Sequence, residues 1–161
     1  HALRGPYDVD FVRQGAQLKE ATLRGSTSEG IDAKLLLVNG TGHRMPTAEP
    51  HRKLIALLEL LDDKGASLMV DKVVIQRRVD LHAMRELPGS DSSLLPREER
   101  SIELSLRGDL PPASVRARLA LQWVLWDPAD PVARAAGLSE EELVMTLEER
   151  FLNLSTSDES P

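Results

Sequence analysis

The chain of 161 residues contains no cysteine, which excludes disulfides, thiolate metal sites, a cysteine nucleophile and any haem attached through its own C-x-x-C-H motif. It has no run of 18 apolar residues, so no segment reads as a membrane-spanning helix. It also lacks a basic excess: 20 Lys and Arg face 26 Asp and Glu, for a net charge of −6. Seven of the acids fall within residues 138–161 beside a single base, Arg150, which leaves 19 of each sign in residues 1–137. A balanced body carries no nucleic-acid footprint. There is no H-E-x-x-H helix, no G-x-S-x-G elbow and no P-loop. Acid pairs such as Glu98-Glu99 and Asp62-Asp63 read as exposed turns or strand edges, where nothing desolvates them for acid–base work. The expectation is a protein that is not an enzyme. An initiator Met is missing too; the chain opens at His1, the pattern expected of a processed or excised chain.

What is present is ordinary globular composition, 41% hydrophobic and 29% charged, at a length that suits one domain. Alternation of apolar and polar residues marks strands at Gln17–Arg24, Ile31–Val38, Ser67–Val79, Ser101–Leu106 and Val115–Trp126. Lys53–Leu61 fits either a leucine-faced helix or a strand; the hairpin chemistry of Asp62-Asp63-Lys64-Gly65 after it tips it to strand. Tyr7–Gly15 reads as a short helical turn. Ser139 followed by three Glu resembles a helix N-cap, and Met145–Leu154 either extends that helix or forms a last strand. The predicted fold is mostly β, an antiparallel immunoglobulin-like β-sandwich of about seven strands with one or two short helices. Residues 1–16 form a joining segment, 17–155 the sandwich and 156–161 an acidic tail.

The most distinctive stretch is Val38-Asn39-Gly40-Thr41-Gly42-His43-Arg44-Met45-Pro46-Thr47, continued by Pro50, His51 and Arg52. Two glycines allow unusual backbone angles and two prolines stiffen the turn. Rigid loops between core strands are where binding groups usually sit. On the residues alone, His43 either binds something or hydrogen-bonds the loop into shape. His82, in Asp80-Leu81-His82-Ala83-Met84, has no motif around it and reads as surface.

This run resembles the G-H-x-x-P-T-G-x-P-x-R signature of a β-sandwich domain at the C-terminal end of multihaem c-type cytochromes. The later Asp63-x-Gly65 and Leu95-Pro96-x-Glu98 are similar to that family as well, and His1-Ala2-Leu3-Arg4-Gly5 resembles its joining segment. Ala48 stands where the family has Gly, and the haem-attachment motifs are missing altogether. The resemblance implies an exported accessory or docking domain, periplasmic or extracellular. Haem c would be carried by a partner, a multihaem cytochrome or other electron-transfer subunit, or by a part of the polypeptide not present here. It implies His1 as an axial ligand candidate and His43 as a second, with Asn39, Gly42, Pro46, Thr47 and Arg52 shaping the loop. Leu3, Tyr7, Met45 and Trp126 would touch a haem edge or pack in the core. A different reading is copper: the α-amino group and imidazole of His1 chelate Cu(II), with His43 or the weaker candidate His51 completing the site. A third is a scaffold or interaction sandwich with no redox site. In the first reading, the acidic end is a contact for a basic partner surface.

Overall fold

The computed structural model describes residues 9–46, 52–77, 79–80, 85–86, 91–111 and 114–154. In chain order these form α1 (Val9–Gly15), β1 (Ala16–Ser26), β2 (Gly30–Asn39), β3 (Lys53–Leu61), β4 (Ser67–Gln76), β5 (Val79–Asp80), β6 (Arg85–Glu86), β7 (Glu99–Leu106), β8 (Arg116–Val124), α2 (Pro131–Ala135), α3 (Glu140–Leu143) and β9 (Val144–Asn153). Seven strands make two antiparallel sheets, ordered β1-β2-β7 and β4-β3-β8-β9, while β5 and β6 form a small separate hairpin. The mostly-β sandwich expected from the sequence is the fold observed.

Period-two alternation explains how the sheets meet. Ile31, Ala33, Leu35 and Leu37 of β2, with Ile102, Leu104 and Leu106 of β7, point inward from one sheet. Leu54, Ala56, Leu58 and Leu60 of β3, with Ala117, Leu119, Leu121 and Trp123 of β8, answer from the other. Each large aliphatic side chain taken from water there contributes about 1.5–3 kcal/mol. β3 looked ambiguous because it is central in its sheet and shielded on both faces. Leu57 and Leu61, on its outer side, are also buried, so its polar positions are too few to show the strand period.

The segment after Ser139 resolves to one helical turn followed by a strand. Ser139 and Glu142 form a capping box, and the chain straightens at Val144 to pair with Val124. A bulge in β9 leaves Leu147 as an extra, fully buried residue, and its carbonyl accepts a 2.7 Å bond from Arg13 Nε of α1. Thus α1, whose Val12 enters the core, is pinned across the β1 and β9 edges. At the opposite seam, Asp71 of β4 accepts the backbone N–H of Ser105 in β7 at 2.9 Å. A carboxylate there occupies an edge-strand donor that would otherwise be open to another chain.

Register decides where the loops go. Ala16 pairs with Asn39, Val38 with Glu99, Lys53 with both Gln76 and Val124, and Val124 with Val144. The connections 40–52, 77–98 and 125–143 therefore all leave and re-enter the sandwich at one end, beside α1. The connections 27–29, 62–66 and 107–115 turn the chain at the other.

Candidate functional site

The last residue of β2, Asn39, is fully buried yet carries a polar side chain. Burying an amide is costly unless its bonds are made, and here they are. Its Nδ2 donates to the carbonyls of His43 (2.7 Å), Leu95 (3.0 Å) and Leu94 (3.2 Å). Its Oδ1 accepts from the Thr41 backbone N–H at 3.0 Å and from the Thr41 hydroxyl at 2.7 Å. One side chain thereby ties the loop that follows β2 to the segment that precedes β7.

The backbone reinforces that tie. Met45 and Leu94 exchange N–H···O bonds of 2.9 and 2.8 Å, and the Met45–Pro46 peptide bond that follows this bridge is cis. Asn39 donates to the Glu98 carbonyl, and Arg97 donates back to the Asn39 carbonyl. Arg97 holds a left-handed backbone angle, φ 64°, and its guanidinium reaches the Gly40 carbonyl at 2.6 Å. Arg44 meets Asp91 at 2.5 Å. Burial alone would raise the Asp91 carboxyl, but the Ser93 hydroxyl and N–H, with Arg44 and Arg77, outweigh it and hold it below the usual range. Glu98 behaves the same way. Burial pushes it up, while the Leu95 N–H at 2.6 Å and the Arg100 guanidinium bring it below its ordinary value. Expected on an exposed edge, Glu98 is half-buried and structural.

His43 sits exposed on this platform. Its Nδ1 lies 3.1 Å from the Arg44 carbonyl and 3.3 Å from the Thr41 hydroxyl, and Nε2 makes no hydrogen bond to another described residue. Of the other residues singled out in the sequence, Pro46 is buried, Arg52 is half-buried just before β3, and Gly42 stands in open space. A Cβ at Gly42 would meet nothing within 4 Å. The glycine that packing demands is Gly40, where a Cβ would lie 2.8 Å from the Gln14 carbonyl and from Gln17 Nε2. Met45 is core, at 6% exposure, and Trp126 is half-buried. His1, Leu3, Tyr7, Thr47, His51 and His82 lie outside the described residues. Asp91 and Arg97 were not singled out in the sequence, and Gly40 stood there only as one of the loop's two glycines. Asp91-Ser92-Ser93 has a readable signal, since Asp two residues before Ser favours the turn in which Asp91 Oδ1 accepts the Ser93 N–H, here at 2.9 Å.

Among the described residues, His43 could supply one nitrogen to a metal, such as an axial position on a haem iron. A neutral imidazole with a fixed Nδ1 offers a single nitrogen. Among the described residues no group of three or more His, Cys, Asp or Glu side chains converges, so they hold no copper or zinc cage. The acidic end has partly structural work: Glu142 caps Ser139, and Glu149 pairs with Arg118 at 3.2 Å. No described helix is long and apolar enough to cross a membrane.

No protein-family model matches the chain, and no curated protein does. Among solved structures, a penta-heme cytochrome c552 from Thermochromatium tepidum is similar, with a TM-score of 0.68 at 18% sequence identity. The likeness covers 96% of this chain and 43% of that one, so this chain spans less than half of the cytochrome's length. At that identity, what the two share is the fold of this β-sandwich.

Proposed function

We propose that the chain is the haem-free β-sandwich of an exported electron-transfer assembly, docking on a multihaem c-type cytochrome and shielding one of its haems. It performs no catalysis. The haem is carried by a partner chain or by further residues of the same polypeptide, because 161 residues without cysteine offer no thioether attachment. The observation that carries this reading is the fold likeness: nearly the whole chain corresponds to less than half of a penta-heme cytochrome. The end bearing His43 is the docking end, since the three long connections gather there and an exposed imidazole stands on a rigid base. The compartment is periplasmic or extracellular, where c-type haem proteins of this kind would meet it.

The test is purification of the protein under native conditions from the cells that make it, followed by haem staining of the denatured components. Covalent haem on an accompanying chain, or on a longer form of the same polypeptide, is the expected result. A preparation in which no component carries haem overturns the reading.

A further inference from the structure

A histidine that binds a metal must present one ring nitrogen as a lone pair and keep the other occupied, so that neither ring rotation nor tautomer exchange competes. At His43 the occupied nitrogen is Nδ1. The Arg44 carbonyl, 3.1 Å away, accepts and never donates, so a neutral ring that makes this bond carries its proton on Nδ1. The Thr41 hydroxyl, at 3.3 Å from Nδ1, supports the same choice. Its one proton is directed to Asn39 Oδ1 at 2.7 Å or to the His43 carbonyl at 2.9 Å, so toward the ring it too accepts. Neutral imidazole has one N–H, and Nε2 is left as the lone pair. That nitrogen is on an exposed residue and meets no described donor.

The base under the ring is held from elsewhere in the chain. Asn39 fixes the His43 carbonyl and, through it, the loop's path, while the exchange between Met45 and Leu94 clamps the following residues. We propose that His43 is a one-point metal ligand acting through Nε2, kept in the Nδ1–H form by the Arg44 carbonyl, with Thr41 and Asn39 as positioning residues. One nitrogen makes one bond, so the metal it serves is held elsewhere and has a coordination position open. This rests on the proposed function for its identity: a haem iron lacking one axial ligand.

Two measurements test it on the folded chain. Long-range 1H–15N correlation spectra above neutral pH report each histidine's tautomer. His43 is expected as Nδ1–H, drifting to a mixture in Thr41→Ala and returning in Thr41→Ser; an Nε2–H ring in the native chain overturns the proposal. The second probe is a ferric haem peptide that carries one axial histidine and an open sixth position. The native chain is expected to convert it to the low-spin form, His43→Asn to weaken that binding by at least about tenfold, and His82→Asn to leave it unchanged. Equal binding by His43→Asn overturns the proposal. The two readings fail separately. A chain with the expected tautomer and haem-peptide binding, but never accompanied by haem in its own cells, defeats the docking function alone. A haem-bearing partner beside an Nε2–H His43 defeats the ligand assignment alone.

Discussion

At one end of the sandwich the chain reverses within three, five and nine residues; at the other, three connections of 13, 22 and 19 residues gather beside α1. The short end is closed mostly by neighbours, with Arg107 reaching across to the Glu29 carbonyl at 3.3 Å and pairing with Asp32. Asp62 Oδ1 accepts the N–H groups of Lys64 and Ala66 at 2.9 and 2.7 Å, and Ser26 Oγ accepts from the Glu29 N–H at 3.2 Å. The long end is closed by strangers in sequence. Asn39 reaches carbonyls 55 and 56 residues away, Arg44 reaches Asp91, and Arg97 returns to Gly40. Strand pairing needs only the first kind of closure. Long loops held by remote bonds cost ordering entropy that the sheets do not require, and such loops are where proteins carry binding groups. On the proposed function, one end does the turning and the other the recognition.

Substitution separates the two ends most sharply at their organising side chains. Asn39→Ala removes every hydrogen bond of a fully buried amide, at roughly 2–4 kcal/mol in all even though the carbonyls of His43, Leu94 and Leu95 keep other donors, whereas Asp62→Ala removes bonds from a solvated turn and costs about 1 kcal/mol. Urea midpoints at equal slope read both; similar losses would break the comparison. Acid is the next lever. Asp91 and Glu98 both have carboxyls held below their ordinary values in the folded chain. Their contribution is complete above the usual carboxylate range and is lost as pH falls through and below it. The protection factors of the Met45 and Leu94 amides, referred to the slower intrinsic exchange in acid, should therefore fall as pH drops past that range, before those of the Leu35 and Leu58 amides in the central strands. Simultaneous loss would mean the platform has no separate stability.

Smaller effects sharpen the same contrast. Gly65 turns the β3–β4 hairpin at φ 83°, so Gly65→Ala should destabilise by about 1–2 kcal/mol through backbone strain alone. Gly42, in open space without a left-handed angle, should tolerate Ala or gain up to about 0.5 kcal/mol, by the same urea measurement. Arg44→Ala should cost under about 1 kcal/mol, since the Arg44 side chain of that pair is 53% exposed.

Legibility in the sequence follows the same division. The alternation of Ile102, Leu104 and Leu106 placed β7, and Asp62-Asp63-Lys64-Gly65 placed a hairpin, because both signals are local. The N-cap at Ser139 was readable, but the helix stops after four residues because the open side of β8 takes the next ten as a strand. Arg13 gave no sign of its partner, a bulge carbonyl 134 residues later. The loop around His43 stood out by composition. Its hub was named only through the resemblance: alone, Asn39 reads as a turn residue, and only the fold brings Leu94 and Leu95 to it. Gly42 and Gly40 looked alike in sequence, and the close approach of Gln14 and Gln17 distinguishes them.

The central claim is that the long-loop end faces a haem-bearing partner. Hydrogen exchange on the native complex against the isolated chain tests it directly. The account predicts new protection across residues 39–46 and 91–98, with none at 27–29 and 62–66. Protection confined to the short-turn end, or to the outer faces of the sheets, would contradict it.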